Sequence, residues 1–164
     1  MSDPGYTANI PSRSFEDLVL GETRTSSSRL VTEQEILDFA RRYDPQWFHS
    51  DSEMAKASVF GEVVASGIHV LALWRQLDHE INGDIDYVCG VGIDELRLKR
   101  AIRAGDLIHV TSEIIELRPS SSNSDRGTAV TRYAVVLEDG SEAVSFTSIN
   151  LVHTREATER RKRP

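Results

Sequence analysis

Cysteine is all but missing: Cys89 stands alone among 164 residues. A single thiol closes no intramolecular disulfide and has no companion for a thiolate metal site. A chain of this length buries enough core to fold without either. A reducing, cytoplasmic setting is therefore expected. Long hydrophobic runs are also missing. No stretch nears the roughly 20 apolar residues of a membrane span, and "MSDPGYTANIPSRS" has no apolar centre of the kind a secretory signal needs. Positive charge is in deficit, with 19 Lys and Arg against 26 Asp and Glu and a net charge of −7. That balance argues against nucleic acid as a partner. Repeats and linkers are lacking too, so one domain is expected over residues 1–153. The exception in charge is "TREATERRKRP", residues 154–164, with five basic and two acidic residues. It reads as a basic, disordered tail.

What is present divides into helices and then strands. Residues 1–14 look irregular, and "FEDLVLGET" (15–23) reads as a short strand. Thr32 and Glu35 have the spacing of a capping box. Ile36, Phe39, Ala40 and Tyr43 follow at helical intervals, and Pro45 ends that helix by biasing Asp44 out of the helical region. Asp51 or Ser52 can cap a short helix, "SEMAKAS". From Ser66, "SGIHVLALWRQLDHEI" predicts a longer helix, apolar nearly all round in its first two turns and polar enough to emerge from Arg75 to Glu80. The remainder alternates as strands: "GIDELRLKRAI", then "DLIHVTSEIIEL", then a pair about the turn "EDGS". The order predicts an α+β fold with an antiparallel sheet packed against one very apolar helix.

The chemistry concentrates in "YDPQWFHSD". Asp44 and His49 are five residues apart, which on a continuous helix would set them about 140° apart. Pro45 breaks the helix, so "PQWF" read as a loop can bring both side chains to one point. Imidazole exchanges protons near neutral pH, and a carboxylate beside it can hold a water or return the proton. The bland alternative makes Asp44 a helix-terminus residue, Asp51 an N-cap and His49 a half-buried bridge. Asp44, His49 and Asp51 could ligate a metal, but no second histidine stands at a ligand spacing, and neither metal nor cofactor is expected.

A second feature is "FGEVVASGIHV". Gly61 and Gly67 flank the start of the long helix, whose free N–H groups and dipole favour negative charge. Gly67 carries no side chain to obstruct a carbonyl oxygen, and a thioester polarised there would be activated. The alternative makes both glycines close-packing positions. His69 and Trp74 read as packing residues and His109 as outward-facing. Arg97, Lys99, Arg100 and Arg103 form a basic cluster that could meet carrier phosphates or simply line a solvated strand edge.

Taken together, "DPQWFHSD", "FGEVVASGIHV" and "GIDELRLKRAIRAGDLIHV" resemble the MaoC-like dehydratases, or (R)-specific enoyl-CoA hydratases, of the hot-dog superfamily. The similarity runs from about "FEDLVLGE" to "SFTSINLVH". It implies a curved antiparallel sheet wrapped around a long central helix, with subunits paired edge to edge as a homodimer or a higher homo-oligomer. It also implies reversible addition of water to a trans-2-enoyl thioester of coenzyme A or an acyl-carrier protein. By that resemblance Asp44 and His49 are the catalytic pair, and the Gly67 amide holds the thioester oxygen. Ser66 beside it is expected at the oxyanion and substrate site, as is Phe48, which with Trp47 could line an apolar slot or simply anchor the loop to the core. Gln46 and Trp47 depart from the family's usual Asn-Pro. Arg75 stands where some hydratases carry a serine that supports the catalytic loop. Two rivals are a hot-dog thioesterase, which in relatives often carries its carboxylate on the central helix, and a non-catalytic acyl-binding domain.

Overall fold

The computed structural model describes residues 11–162. Most of the segment expected to be irregular therefore lies outside the described residues. The stretch expected as a strand over 15–23 is instead a turn of 3-10 helix, Phe15–Asp17, leading to β1 (Thr23–Thr25) and β2 (Arg29–Leu30). Two or three residues are too few to show an alternation. Both strands pair antiparallel with β4.

Helix α1 (Glu33–Tyr43) starts where its cap predicts: the Thr32 hydroxyl accepts from the Glu35 N–H at 3.3 Å. It buries Ile36, Leu37 and Ala40. Pro45 does interrupt it, but the following segment is not all loop. Trp47–Ser50 makes a single helical turn, α2. Asp51 then caps α3 (Ser52–Ala55), accepting from the amides of Glu53 and Met54.

Helix α4 (Gly67–Asn82) is the core element. Val70, Leu73 and Leu77 enter one cluster with Val110, Val135 and Val144 from the sheet. Full burial of each such side chain stabilises by about 1.5–3 kcal/mol. Trp74 meets Tyr133 and Phe146 edge-on at 5.0 and 4.8 Å. The polar second half of α4 does not simply emerge into water. Asp78 is 1 % exposed, held by Arg75 at 2.6 Å and by the Asn82 amide at 2.9 Å. Asn82 also reaches Ser112 and the Tyr133 hydroxyl. Burial pushes the Tyr133 phenol up, and the neighbouring Tyr87 and Asp78 add to it. A carboxylate this deep is tolerated only because it is paired and hydrogen-bonded.

The strands β3 (Tyr87–Leu98), β4 (Leu107–Pro119), β5 (Arg126–Leu137) and β6 (Glu142–His153) complete, among the described residues, an antiparallel sheet of six. The order is β1-β4-β5-β6-β3, with β2 also on β4. The buried alternation of Ile108, Val110, Ser112 and Ile114 matches the period of two. Gly140, at φ 82°, makes the β5–β6 turn in the left-handed region that glycine reaches freely. Strand β3 starts earlier than its sequence suggests and forms one edge of the sheet. A register shift between Asp94 and Arg97 contains Glu95 at φ 54°, a bulge that twists the edge.

The expected disordered tail is instead a helix, α5 (Arg155–Lys162). Arg155 pairs with Asp17 and Arg160 with Asp125, both at 2.6 Å. The Thr158 hydroxyl donates to the buried Asp86 at 2.6 Å, and Arg161 bonds the same carboxylate. Burial would raise the Asp86 carboxyl, but these two hydrogen bonds outweigh it and hold it below the ordinary range. Arg155, Arg160 and Arg161 looked solvated in sequence because their partners Asp17, Asp125 and Asp86 are far away along the chain.

Candidate active site

Helix α2, the amino end of α4 and the end of β3 converge on one cavity of about 360 Å³. Phe48, His49 and Gly67 line it. Val64, Val70, Ile102 and Val144, all buried, form its apolar floor. Phe60 and Leu98 stand at its sides, and Lys99 and Arg100 at its rim.

His49 is 7 % exposed, and its Nδ1 lies 2.6 Å from the Val64 carbonyl oxygen. A carbonyl can only accept, so Nδ1 carries the proton and Nε2 is the free lone pair of the ring. The carbonyl is itself well placed. The Val64 amide donates to Phe48 O, and the Ala65 amide donates to Ile102 O at 2.9 Å. The short segment 63–65 is thereby sewn between α2 and the approach to β4, and the imidazole inherits that rigidity.

Gly67 is the first residue of α4, and its backbone N–H donates no hydrogen bond among the described residues. The first turn of a helix leaves such amides unsatisfied, and the dipole of a 16-residue helix adds positive potential there. Ser66 is the N-cap. It is buried, its Oγ accepts from the His69 amide at 3.3 Å, and its side chain does not line the cavity. Its hydroxyl serves the cap of α4.

Asp44 is also outside the lining. It caps the carboxyl end of α1, and its carboxylate accepts from the Gln46 side chain at 3.1 Å. No hydrogen bond joins Asp44 to His49. The structure thus brings together three of the five predicted residues. The basic cluster is largely neutralised: Lys99 pairs with Glu142, Arg100 with Asp139, and Arg103 with Glu62. The Ser141 hydroxyl and Arg100 hold the Asp139 carboxyl well below the usual range. Arg75 reaches Asp78 and lies over the Trp74 ring, not against the His49 loop. Among the described residues no cluster of three or more His, Cys, Asp or Glu side chains suits a metal ion. No described helix is long and apolar enough to cross a membrane.

Sequence reasoning missed Phe60, Leu98 and the Val64 carbonyl. Phe60 adjoins the Gly61 that was singled out, so its place was within reach. Leu98 and Val64 are brought in only by tertiary pairing.

An open antiparallel sheet packed on one long helix defines the hot-dog fold, here with a cavity at the amino end of that helix. The chain belongs to the MaoC like domain family, which matches residues 15–137. The MaoC-like dehydratase from Rhodospirillum rubrum superposes with a TM-score of 0.80 at 30 % identity, covering 88 % of this chain and 99 % of that one. The (R)-hydratase from A. caviae involved in PHA biosynthesis gives 0.67 at 20 % identity, with 82 % and 97 % covered, a likeness of fold. In sequence, 3-hydroxyacyl-thioester dehydratase Z from Mycobacterium tuberculosis is 28 % identical over 109 residues, 64 % of this chain and 72 % of that protein.

Proposed function

We propose that this protein is a hydro-lyase that reversibly adds water to a trans-2-enoyl thioester, giving the (R)-3-hydroxyacyl thioester. The carrier is coenzyme A or an acyl-carrier protein. The observation that carries the reading is the His49 ring, locked by Val64 with its basic Nε2 free, in the same cavity as the Gly67 amide. The thioester oxygen accepts from the Gly67 N–H. His49 Nε2 takes a proton from water as the water oxygen bonds to the β-carbon. Electron density moves to the thioester oxygen, where the helix end stabilises the enolate. A proton returned to the α-carbon closes the reaction, and no redox partner is consumed. Asp44 is the second member of the pair. It exchanges its Gln46 bond for the attacking water.

The relative named as a thioester dehydratase supports this class of substrate. A thioesterase working from a central-helix carboxylate is disfavoured. Asp78 is enclosed by Arg75 and Asn82, and Glu80 accepts from Ser27. The test is incubation with trans-2-butenoyl-CoA. Loss of enone absorbance without free thiol supports hydration. Free thiol identifies a thioesterase, and no change identifies a binding domain.

The working unit in this reading is a cytoplasmic homodimer joined along β3. That edge leaves Val91 56 % and Ile93 47 % exposed, and open apolar edges invite a second strand. Ile93→Lys is expected to give monomers in sedimentation at micromolar concentration. A wild-type protein that is already monomeric there overturns the dimer.

A further inference from the structure

One side chain in the cavity is placed unlike the rest. A Cβ built on Gly67 would stand 2.7 Å from Leu98 Cδ1, 3.5 Å from Cδ2 and 3.8 Å from Cγ. The isobutyl group of Leu98 therefore lies directly against the α-carbon of the residue whose N–H is free. Yet Leu98 is 59 % exposed, whereas Val70, Ile102 and Val144 on the floor are at 3 %, 1 % and 1 %. Leu98 is at the entrance, beside the helix end, and the floor residues are behind it.

Its backbone cannot retreat. Leu98 closes β3 in register with Val144. The next two amides, Lys99 and Arg100, both donate to Ala143 O, and their side chains pair with Glu142 and Asp139 of the β5–β6 hairpin. Only the Leu98 side chain can yield to a ligand.

Resting on the thioester reading above, we propose that Leu98 is a specificity-determining residue that discriminates against a substituent on the α-carbon of the acyl group. A carbonyl oxygen held about 2.9 Å from the Gly67 nitrogen brings the carbonyl carbon and its α-carbon into van der Waals reach of Leu98. Carbons farther along the chain pass it and meet Val70, Ile102 and Val144. A methyl on the α-carbon competes with Leu98 for space, and added chain length competes with the floor. Leu98 thus controls branching at the thioester end and leaves chain length to other residues. A methyl group's worth of space in an apolar slot discriminates by about 10- to 200-fold.

The test measures binding by calorimetry, using butanoyl-CoA and 2-methylpropanoyl-CoA, which have equal numbers of carbons and no double bond to hydrate. Wild-type protein is expected to prefer the linear thioester by on the order of tenfold. Leu98→Ala should bring that ratio near one and leave the ratio of hexanoyl- to butanoyl-CoA unchanged. Leu98→Phe should widen the preference for the linear form. Thermal melting checks that both variants fold, and either one alone decides the matter. An unchanged linear-to-branched ratio in the variants overturns the proposal, as does an equal shift in the chain-length ratio. Hydration of trans-2-butenoyl-CoA is followed alongside. If wild type hydrates it while the branching ratio ignores position 98, only the role of Leu98 fails. If no thioester binds and none is hydrated, the thioester reading falls with it.

Discussion

Replacing His49 separates two duties, because Nδ1 holds the ring and Nε2 is the nitrogen to which the proposed reaction gives the proton transfer. His49→Ala removes both. The Val64 carbonyl, on a residue that is 1 % exposed, loses the donor at 2.6 Å with little access for water. Leaving a buried acceptor unmet costs about 1–3 kcal/mol. A loss of about 2 kcal/mol lowers the melting temperature of a protein this size by about 4–8 °C. His49→Asn has a different outcome. Its Nδ2 sits the same number of bonds from the backbone as histidine Nδ1, so it can donate to Val64 and recover most of the stability. It offers nothing in place of Nε2. Thermal melting should therefore rank wild type, then Asn, then Ala, whereas hydration of trans-2-butenoyl-CoA should fall by about 10²-fold or more in both variants. An Asn variant that melts like wild type and still hydrates at near-normal rate refutes the assignment of His49 as the acid–base group.

Three further outcomes are expected. Gly67→Val should reduce turnover by about 10²-fold, comparable to loss of an oxyanion donor, with melting little changed because the first atom it meets is the end of the flexible Leu98. Near-normal turnover would leave Gly67 a packing residue. Asp44→Asn keeps the α1 C-cap and removes the carboxylate proposed to hold the attacking water, so hydration should drop by about 10²-fold or more, and full activity would make Asp44 structural only. Burial holds His69 below its ordinary 6.5, with Glu35 raising it and Arg29 lowering it less strongly. A depressed histidine favours the fold above 6.5 and loses that contribution as pH falls below it. His69→Phe retains the stack on Phe39 and should flatten the decline in denaturant midpoint as pH falls below about 6.5. An unaltered slope sinks that reading.

Much of this architecture is written in short-range signals. Thr32, Pro45 and Ser66 mark helix ends through their own backbone and side-chain chemistry, so α1 and α4 could be read from local sequence. Strands β4 to β6 could be read from alternation. Strands β1 and β2 could not, because their order comes from pairing with Thr111, Glu113 and Ile108. Asp78 looked like a solvent-facing position. Its burial depends on Arg75 and Asn82, which are local, but also on Tyr133 and Ser112 from two other strands. The site divides in the same way. His49 and Gly67 announced themselves by residue type and by a proline or a helix start nearby. The carbonyl that fixes His49 comes from residue 64 and the side chain over Gly67 from residue 98, and neither has any local mark. Asp44 shows the limit from the other side: its spacing to His49 permits an encounter, but in the structure it bonds Gln46.

The setting of Asp86 bears on the order in which the molecule is built. Its carboxylate takes a hydrogen bond from Thr158, 72 positions onward, and Thr158 in turn accepts one from Ser14, 144 positions back. Few contacts in a chain of this length span more sequence, and such closures are slow to find in folding. While the polypeptide is being synthesised, Asp86 emerges long before its cationic and hydroxyl partners. Until they arrive, the Asp86 carboxylate lacks both partners, and the docking of α5 supplies the Thr158 hydroxyl and the Arg161 guanidinium together.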